Sequence, residues 1–486
     1  MVFVDVEKNA EAAQRPLNLV LAQHTNAHEA RKISDGTKEM LYIFGSSTLL
    51  SKEEEYQKGT YEDSREVKHP TTYLETVNHL IKACLGTGIL AMPSAFNHSG
   101  WLIGIIGTIM TGIVCTYLVH MLLETEAELC RRKKVRNMTY HTTAQAAFEE
   151  GPEMLRWLAP YMPFVTKFLF LFGIVGGCCI YIVFISSNLK AVADHFLDPA
   201  YHFHVRWYMF AHLPPLVILS WIRNLKFLAP LSSIGTVLTF IGFGIVFFYM
   251  VQDLPPISTR EATGSLSGLT FFFVTVMFSL EAMPVIMPLK NEMKNPKRFA
   301  TACGVLNVAM VPNLMMFLSV GLVGFLKYGP DVKASITLNM PEGEILAEMS
   351  RVLIASAIFI TLPLAGYMGF DIAWNGFLAQ RIEKNKLFKE YCLRTGLVVI
   401  EVFMAITVPH LDLVISLVGA MTLTTLGMAF PAILHLITFW NDRSGLRFFF
   451  WSFYHFFFII LGVFGLVVGA STSLKEVVHR IFEEND

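Results

Sequence analysis

The stretch Asn78–Phe96, NHLIKACLGTGILAMPSAF, is apolar enough for a bilayer, yet it carries His79 and Lys82 near its start and breaks at Gly86-Thr87-Gly88 and again at Pro93. A helix in lipid needs an unbroken ladder of backbone hydrogen bonds, because the hydrocarbon core offers no other partners. An interruption frees N–H and C=O groups at membrane depth. Such groups are tolerable only where they line a cavity or meet a ligand. A half-helix starting near Gly88 turns its N-terminal dipole end toward the break, which suits an anion such as a carboxylate. Glycine there lets a ligand approach the backbone closely. Taken alone, the Gly-Thr-Gly triplet fits helix packing through small residues equally well, so its reading depends on the rest of the chain.

The 486 residues are 53% hydrophobic and only 16% charged, with mean hydropathy +0.50. A soluble chain carries about 25% charge. A window of about nineteen residues predicts spans near 74–98, 100–123, 164–188, 207–222, 227–251, 267–289, 301–326, 348–370, 393–410, 413–437 and 448–471. The fourth is short and interrupted by Pro214-Pro215. Residues 1–70 show charge runs without periodicity and read as a disordered cytoplasmic tail. The chain thus divides into that tail, an eleven-helix membrane domain over 71–475, and a short extracytoplasmic tail over 476–486.

Composition also excludes classes of function. A net charge of -1 with no basic block gives no reason to expect nucleic acid. No GxxxxGK[ST] loop suggests ATP drive, and nothing points to an enzyme. The 15 histidines lack metal spacing, so no metal or cofactor is expected. The seven cysteines fall in spans or in loops assigned to the cytoplasm, so no external disulfide framework is expected.

Lys and Arg placement sets orientation. With the N-terminus inside, the cytoplasmic loops hold RRKKVR (131–136), KNEMKNPKR (290–298) and RIEKNKLFK (381–389), whereas the external loops are richer in acids. Eleven spans then put the C-terminus outside. Tags at Val2 and Asp486 should be accessible on opposite faces of the membrane. Both tags on one face would mean a miscounted span, the short fourth first of all.

The next comparable interruption lies five spans on, in FFFVTVMFSLEAMPVIMPLKNEMKNP (271–296), which contains Glu281, Pro284 and Pro288. Pro284 removes an N–H and clashes with the carbonyl four residues back. Interrupted spans at matching positions of two five-span halves point to an inverted-repeat transporter with a site near the bilayer midplane. Freed carbonyls in the sixth span suit an ammonium, as the first break suits a carboxylate. An amino acid carries both groups.

These residues also carry a family resemblance. HLIKACLGTGILAMPSAFNHSGW (79–101), GGCCIYIVFISSNLK (176–190), SLEAMPVIMPLKNEMKNPKRF (279–299) and VPHLDLVISLVGAMTLTTLGMAFPAIL (408–434) resemble the proton-coupled amino acid transporters of the amino acid/auxin permease superfamily. The resemblance spans about 70–475. It implies an all-α leucine-transporter-like fold, two inverted five-helix repeats plus an eleventh helix. The implied function is secondary active transport of small neutral amino acids, with the proton as coupling ion, at the plasma membrane or alternatively the lysosomal membrane. An amino acid sensor of the same fold and a proton-independent uniporter stay open as alternatives. The chain departs from the pattern at Cys84, where the family has Asn, and at Leu280-Glu281-Ala282-Met283-Pro284, where its FEGIG loses both glycines.

The residues so singled out for substrate are Cys84, Leu85, Gly86, Thr87, Gly88, Tyr181, Ser279, Glu281, Ala282, Met283 and Tyr367. His79 matches the histidine to which the family attributes proton coupling, and Glu281 is the second candidate for it. From the residues alone, His79 reads first as a buried structural imidazole, and Lys82 as a side chain snorkelling to the inner interface. Glu75 shares a helix face with both. A mid-span Glu281 should face a cavity or a partner. Glu401 is also mid-span, with pairing to Lys82, pairing to His455 and simple protonation all open.

Overall fold

A computed structural model of the chain describes residues 70–483 except 224, 281–282, 380, 383, 409 and 443–444. The expected tail over 1–70 therefore lies almost wholly outside the described residues, as do Glu281 and Ala282.

Helix α1 (Tyr73–Cys84) starts at a capping box. The Thr72 N–H donates to Glu75 Oε2 at 2.8 Å, and the Glu75 N–H donates to Thr72 Oγ1 at 3.4 Å. Two orphan N–H groups are satisfied reciprocally. The helix stops at Leu85, Gly86 is extended (φ -131°, ψ -158°), and α2 (Thr87–Ser99) begins. The two axes differ by 51°. Gly100 ends α2 at φ +75°, where a Cβ would lie 2.6 Å from the Ala262 carbonyl, so only glycine fits. In the sixth span, α9 (Leu266–Ser279) ends in a turn at Leu280 (ψ 8°), and beyond 281–282, which lie outside the described residues, α10 covers Met283–Glu292.

Between these come α3 (Trp101–Lys133), α4 (Tyr140–Glu150), α5 (Met162–Phe196), α6 (Val205–Ala211), α7 (Leu213–Ser220) and α8 (Leu225–Val251). After them come α11 (Val305–Tyr328), α12 (Ile345–Ala373) and α13 (Lys386–Thr407). The tenth span is α14 (Leu411–Val418), a π-helical stretch over Gly419–Ala429, and α15 (Phe430–Thr438). The last helix is α16 (Gly445–Glu483). The broken helices sit at the centre: α9 and α11 pack on α2, while α5 and α8 pack along α12. Helix α16 lies outside, with Phe449, Phe453 and Phe464 turned outward, as lipid contact requires.

Among the described residues, eight helices are long and apolar enough to cross a membrane, or nine with the bent α1–α2 pair. The fourth and ninth expected spans are helical but fall short, for different reasons. The fourth is divided into α6 and α7 at His212, just before Pro214 and Pro215. The ninth, α13, carries Glu390, Arg394 and Glu401 as buried side chains. Arg394 donates to Glu390 Oε1 and to the Ser220 carbonyl, at 3.1 and 2.9 Å, and Arg223 closes on Glu390 Oε2 at 2.9 Å.

On the opposite face, Arg351 of α12 is only 1% exposed. It donates to the carbonyls of Thr337 (3.0 Å) and Met340 (2.6 Å) and pairs with Glu348 (2.5 Å). This clamp holds the loop around Ile336, which is buried against α2. Arg351→Met would strip these bonds and leave Glu348 buried without its counter-charge. The expected cost is about 3–5 kcal/mol, read as a lower Tm of the purified protein. An unchanged Tm would contradict the clamp.

Candidate functional site

The break in the first span opens onto a cavity of about 180 Å³. That is roughly fifteen times the ~10–15 Å³ that one water needs. Gly86, Thr87 and Gly88 form one wall, Gly177 and Tyr181 of α5 a second, and Ser279 at the end of α9 a third. Gly173, Thr422 and Leu426 close it from α5 and the π-helical stretch. No described lining residue carries a charge.

Backbone polarity dominates this wall. Helix α2 begins at Thr87 with no side-chain cap on Gly86. Its first N–H groups therefore lack intrahelical partners and present a positive dipole end. The Thr87 hydroxyl is buried and makes no hydrogen bond among the described residues. The Ser279 hydroxyl shares its proton between the carbonyls of Gly88 (2.9 Å) and Thr275 (2.8 Å). Ser279 thus braces α9 against α2 at the level of the break. A Cβ on Gly88 would lie 2.7 Å from Ser279 Cα, so glycine is what lets the two helices meet. A Cβ on Gly86 would meet only the Tyr181 hydroxyl, at 3.5 Å.

The two ends of the first span differ in access. In α2, Ile89, Met92 and Phe96 are fully buried. In α1, Asn78, His79 and Ala83 are exposed, and Ala83 lines the cavity. His79 and Ala83 are four residues apart in α1, so they share one helix face just before the break. The segment of α2 beyond the break is thus buried, while the face of α1 that carries His79 and Ala83 is exposed.

The sequence-predicted residues distribute as follows. Cys84, Gly86, Thr87, Gly88, Tyr181 and Ser279 share the cavity wall. Leu85 is half-buried and packs against the core. Met283 lines a small apolar cavity with Cys115, Met277 and Met310. Tyr367 lies under the Arg394 guanidinium, 5.6 Å from ring centroid to carbon. Glu281 and Ala282 lie outside the described residues. Glu401, buried on α13, meets the thiol of Cys178, a cavity residue. Sequence reading missed the capping role of Glu75, although Thr72-x-x-Glu75 is its signature. It missed Gly173, Gly177, Thr422 and Leu426 as lining residues, because nothing local marks which face of a long apolar helix turns inward.

At the centre of the fold, then, an interrupted first span opens onto a cavity. The chain belongs to the family of transmembrane amino acid transporter proteins, whose model matches residues 69–475. It is 38% identical over 427 residues to the proton-coupled amino acid transporter-like protein pathetic of Drosophila melanogaster, covering 87% of this chain and 88% of that one. It is 23% identical to the probable amino acid transporter skat-1 of Caenorhabditis elegans, over 86% of this chain and 92% of that one. Its backbone resembles an inward-facing structure of Mhp1 with a TM-score of 0.50 and 11% identity, covering 87% of this chain and 96% of that one. The fold is of the leucine-transporter type, and the chain is a multi-pass amino acid transporter, not an enzyme.

Proposed function

We propose that this chain carries small neutral amino acids together with protons, by alternating access around the α1–α2 break. The uncapped start of α2 at the cavity wall carries the reading. Its N–H groups would take the substrate carboxylate, assisted by the Thr87 hydroxyl. The C-terminal ends of α1 and α9 offer negative dipole ends to the substrate ammonium. Substrate size follows from a cavity of about 180 Å³. The described lining residues carry no charge, which supports a neutral substrate.

Coupling falls to His79, on the exposed face of α1 that also carries Ala83 of the cavity wall, with Glu281 as the sequence-based rival. The plasma membrane, or alternatively the lysosomal membrane, is the expected site of action. The test is uptake of radiolabelled alanine, leucine, glutamate and lysine into proteoliposomes, with and without an imposed pH gradient. Uptake of alanine above that of glutamate and lysine, stimulated by the gradient, is expected. A preference for a charged amino acid would overturn the substrate class, and indifference to the gradient would overturn the coupling.

A further inference from the structure

Helix α5 carries glycine at 173, 176 and 177, and packing accounts for two of them. A Cβ on Gly176 would lie 2.4 Å from Val418 Cγ2, so glycine there lets α5 meet α14. A Cβ on Gly173 would lie 3.2 Å from Thr422 Cγ2, a contact that leaves no spare room. Gly177 has no such neighbour: a Cβ would find nothing beyond its own stretch of helix within 4 Å. It sits inside α5 and outside the left-handed region, in a setting where glycine is among the poorest helix formers. Neither packing nor backbone conformation asks for glycine at this position. What the missing side chain leaves is space, and that space belongs to the cavity that Gly177 lines.

The space has a shape. Tyr181, Gly177, Gly173 and Phe170 all line the cavity and are four, four and three residues apart, so they share one face of α5. An aromatic side chain stands at each end of that face, and the two glycines leave it bare between them. From Tyr181 to Gly173 the distance along the helix is about 12 Å. One end meets the break: the Tyr181 hydroxyl is what a Cβ on Gly86 would approach, at 3.5 Å. Thr87 lines the cavity there, its buried hydroxyl making no hydrogen bond among the described residues. The other end meets Thr422 of the tenth span. The flanks are apolar, with Leu169, Ile174, Met368 and Leu426. A ligand held by its carboxylate at the start of α2 would lay its side chain along the bare face, between apolar walls.

We propose that Gly177 sets the upper size limit of the substrate: the room it leaves admits an apolar amino acid side chain larger than a methyl, of the leucine or methionine class. The inference rests on the cavity being the amino acid site. One methylene more or less in an apolar pocket changes discrimination by about 10–200-fold, so the side chain missing at this one position is enough to separate leucine from alanine. A side chain at 177 would fill the room and spare the small end of the range, because alanine reaches little farther than the break.

The test compares full-length wild type, Gly177→Ala and Gly177→Val in proteoliposomes for uptake of radiolabelled alanine and leucine, with Tm measured on each purified protein. Wild type is expected to carry both amino acids. The leucine-to-alanine ratio of kcat/KM should fall about tenfold or more in Gly177→Val, and by a smaller step in Gly177→Ala, while alanine uptake is retained. The Tm of Gly177→Ala should match or exceed that of wild type, since alanine is the better helix former and has room. Gly176→Ala, whose methyl would meet Val418, should lower Tm instead. Gly244→Val, on the exposed side of α8 where a Cβ also meets nothing, should leave the ratio as it is. If Gly177→Val does not reach the membrane, Gly177→Ala carries the comparison. A lower Tm in Gly177→Ala would show that the space is not there and overturn the proposal. An unchanged ratio in the Gly177 variants, or a wild type that carries alanine but not leucine, would overturn the size limit and leave amino acid transport standing. A wild type that carries neither would overturn the proposed function and this inference with it.

Discussion

Gly86→Val is expected to weaken substrate binding roughly thirtyfold and cut uptake accordingly while the protein remains folded, and Gly88→Val to fail by a different route. Gly86 is extended at φ -131° and ψ -158°, a conformation any residue adopts. The nearest atom to a Cβ there is the Tyr181 hydroxyl at 3.5 Å, an ordinary contact. The isopropyl group therefore enters without a backbone clash and occupies space in front of the first N–H groups of α2. Losing a partly buried contact to a helix end costs about 2 kcal/mol, which weakens binding roughly thirtyfold. Gly88 is the opposite case. Its Cβ would sit 2.7 Å from Ser279 Cα, where only backbone movement gives relief. Overpacking of this kind costs about 1–3 kcal/mol and should lower Tm along with uptake. Uptake and thermal melting measured on both variants separate the two effects. Wild-type uptake by a folded Gly86→Val protein would remove the break from the substrate site.

Much of this arrangement is legible in the sequence because lipid makes backbone polarity costly. Gly86-Thr87-Gly88 and the prolines of 284–288 stand out in apolar runs, and their five-span offset implies the inverted repeat. The rest depends on which face of a helix turns inward, and that information is nonlocal. Long spans such as α5 and the tenth are apolar all round, so periodicity does not single out Gly177 or Thr422. Tyr367 illustrates the problem: the aromatic lies one residue from the lining Met368, yet its ring meets Arg394 rather than the cavity. His455, which the sequence offers as a partner for Glu401, faces His435, twenty residues away in the chain. The bend between α1 and α2 follows from the glycines, whereas the second break expected at Pro93 is absent, because α2 runs through it from Thr87 to Ser99.

His79→Ala is expected to lose accumulation driven by a pH gradient, while Glu281→Gln mainly weakens substrate affinity. His79 is exposed on α1, four residues before Ala83 of the cavity wall and seven before Gly86. A carrier that loads a proton on one side and releases it on the other needs a group whose affinity differs between its two states, since only differential binding shifts an equilibrium. His79 lies on the exposed face of α1. If α1 closes in the opposite state, its access to water is lost. Histidine changes charge within about pH 5 to 8, so a modest difference in environment suffices. A lysine, titrating near about 10.4, would need a far larger one. Glu281 competes because burial can raise a carboxyl by several units. Uptake at external pH of about 5.5 and 7.5, on either side of the histidine midpoint, paired with a binding assay on each variant, distinguishes the two. Removal of His79 should flatten the pH response by about tenfold, the size of a typical coupling energy, with little loss of binding at the higher pH. Retention of the pH response in His79→Ala and its loss in Glu281→Gln would transfer the proton to Glu281. A wild-type protein indifferent to pH would leave a uniporter or a sensor built on the same break.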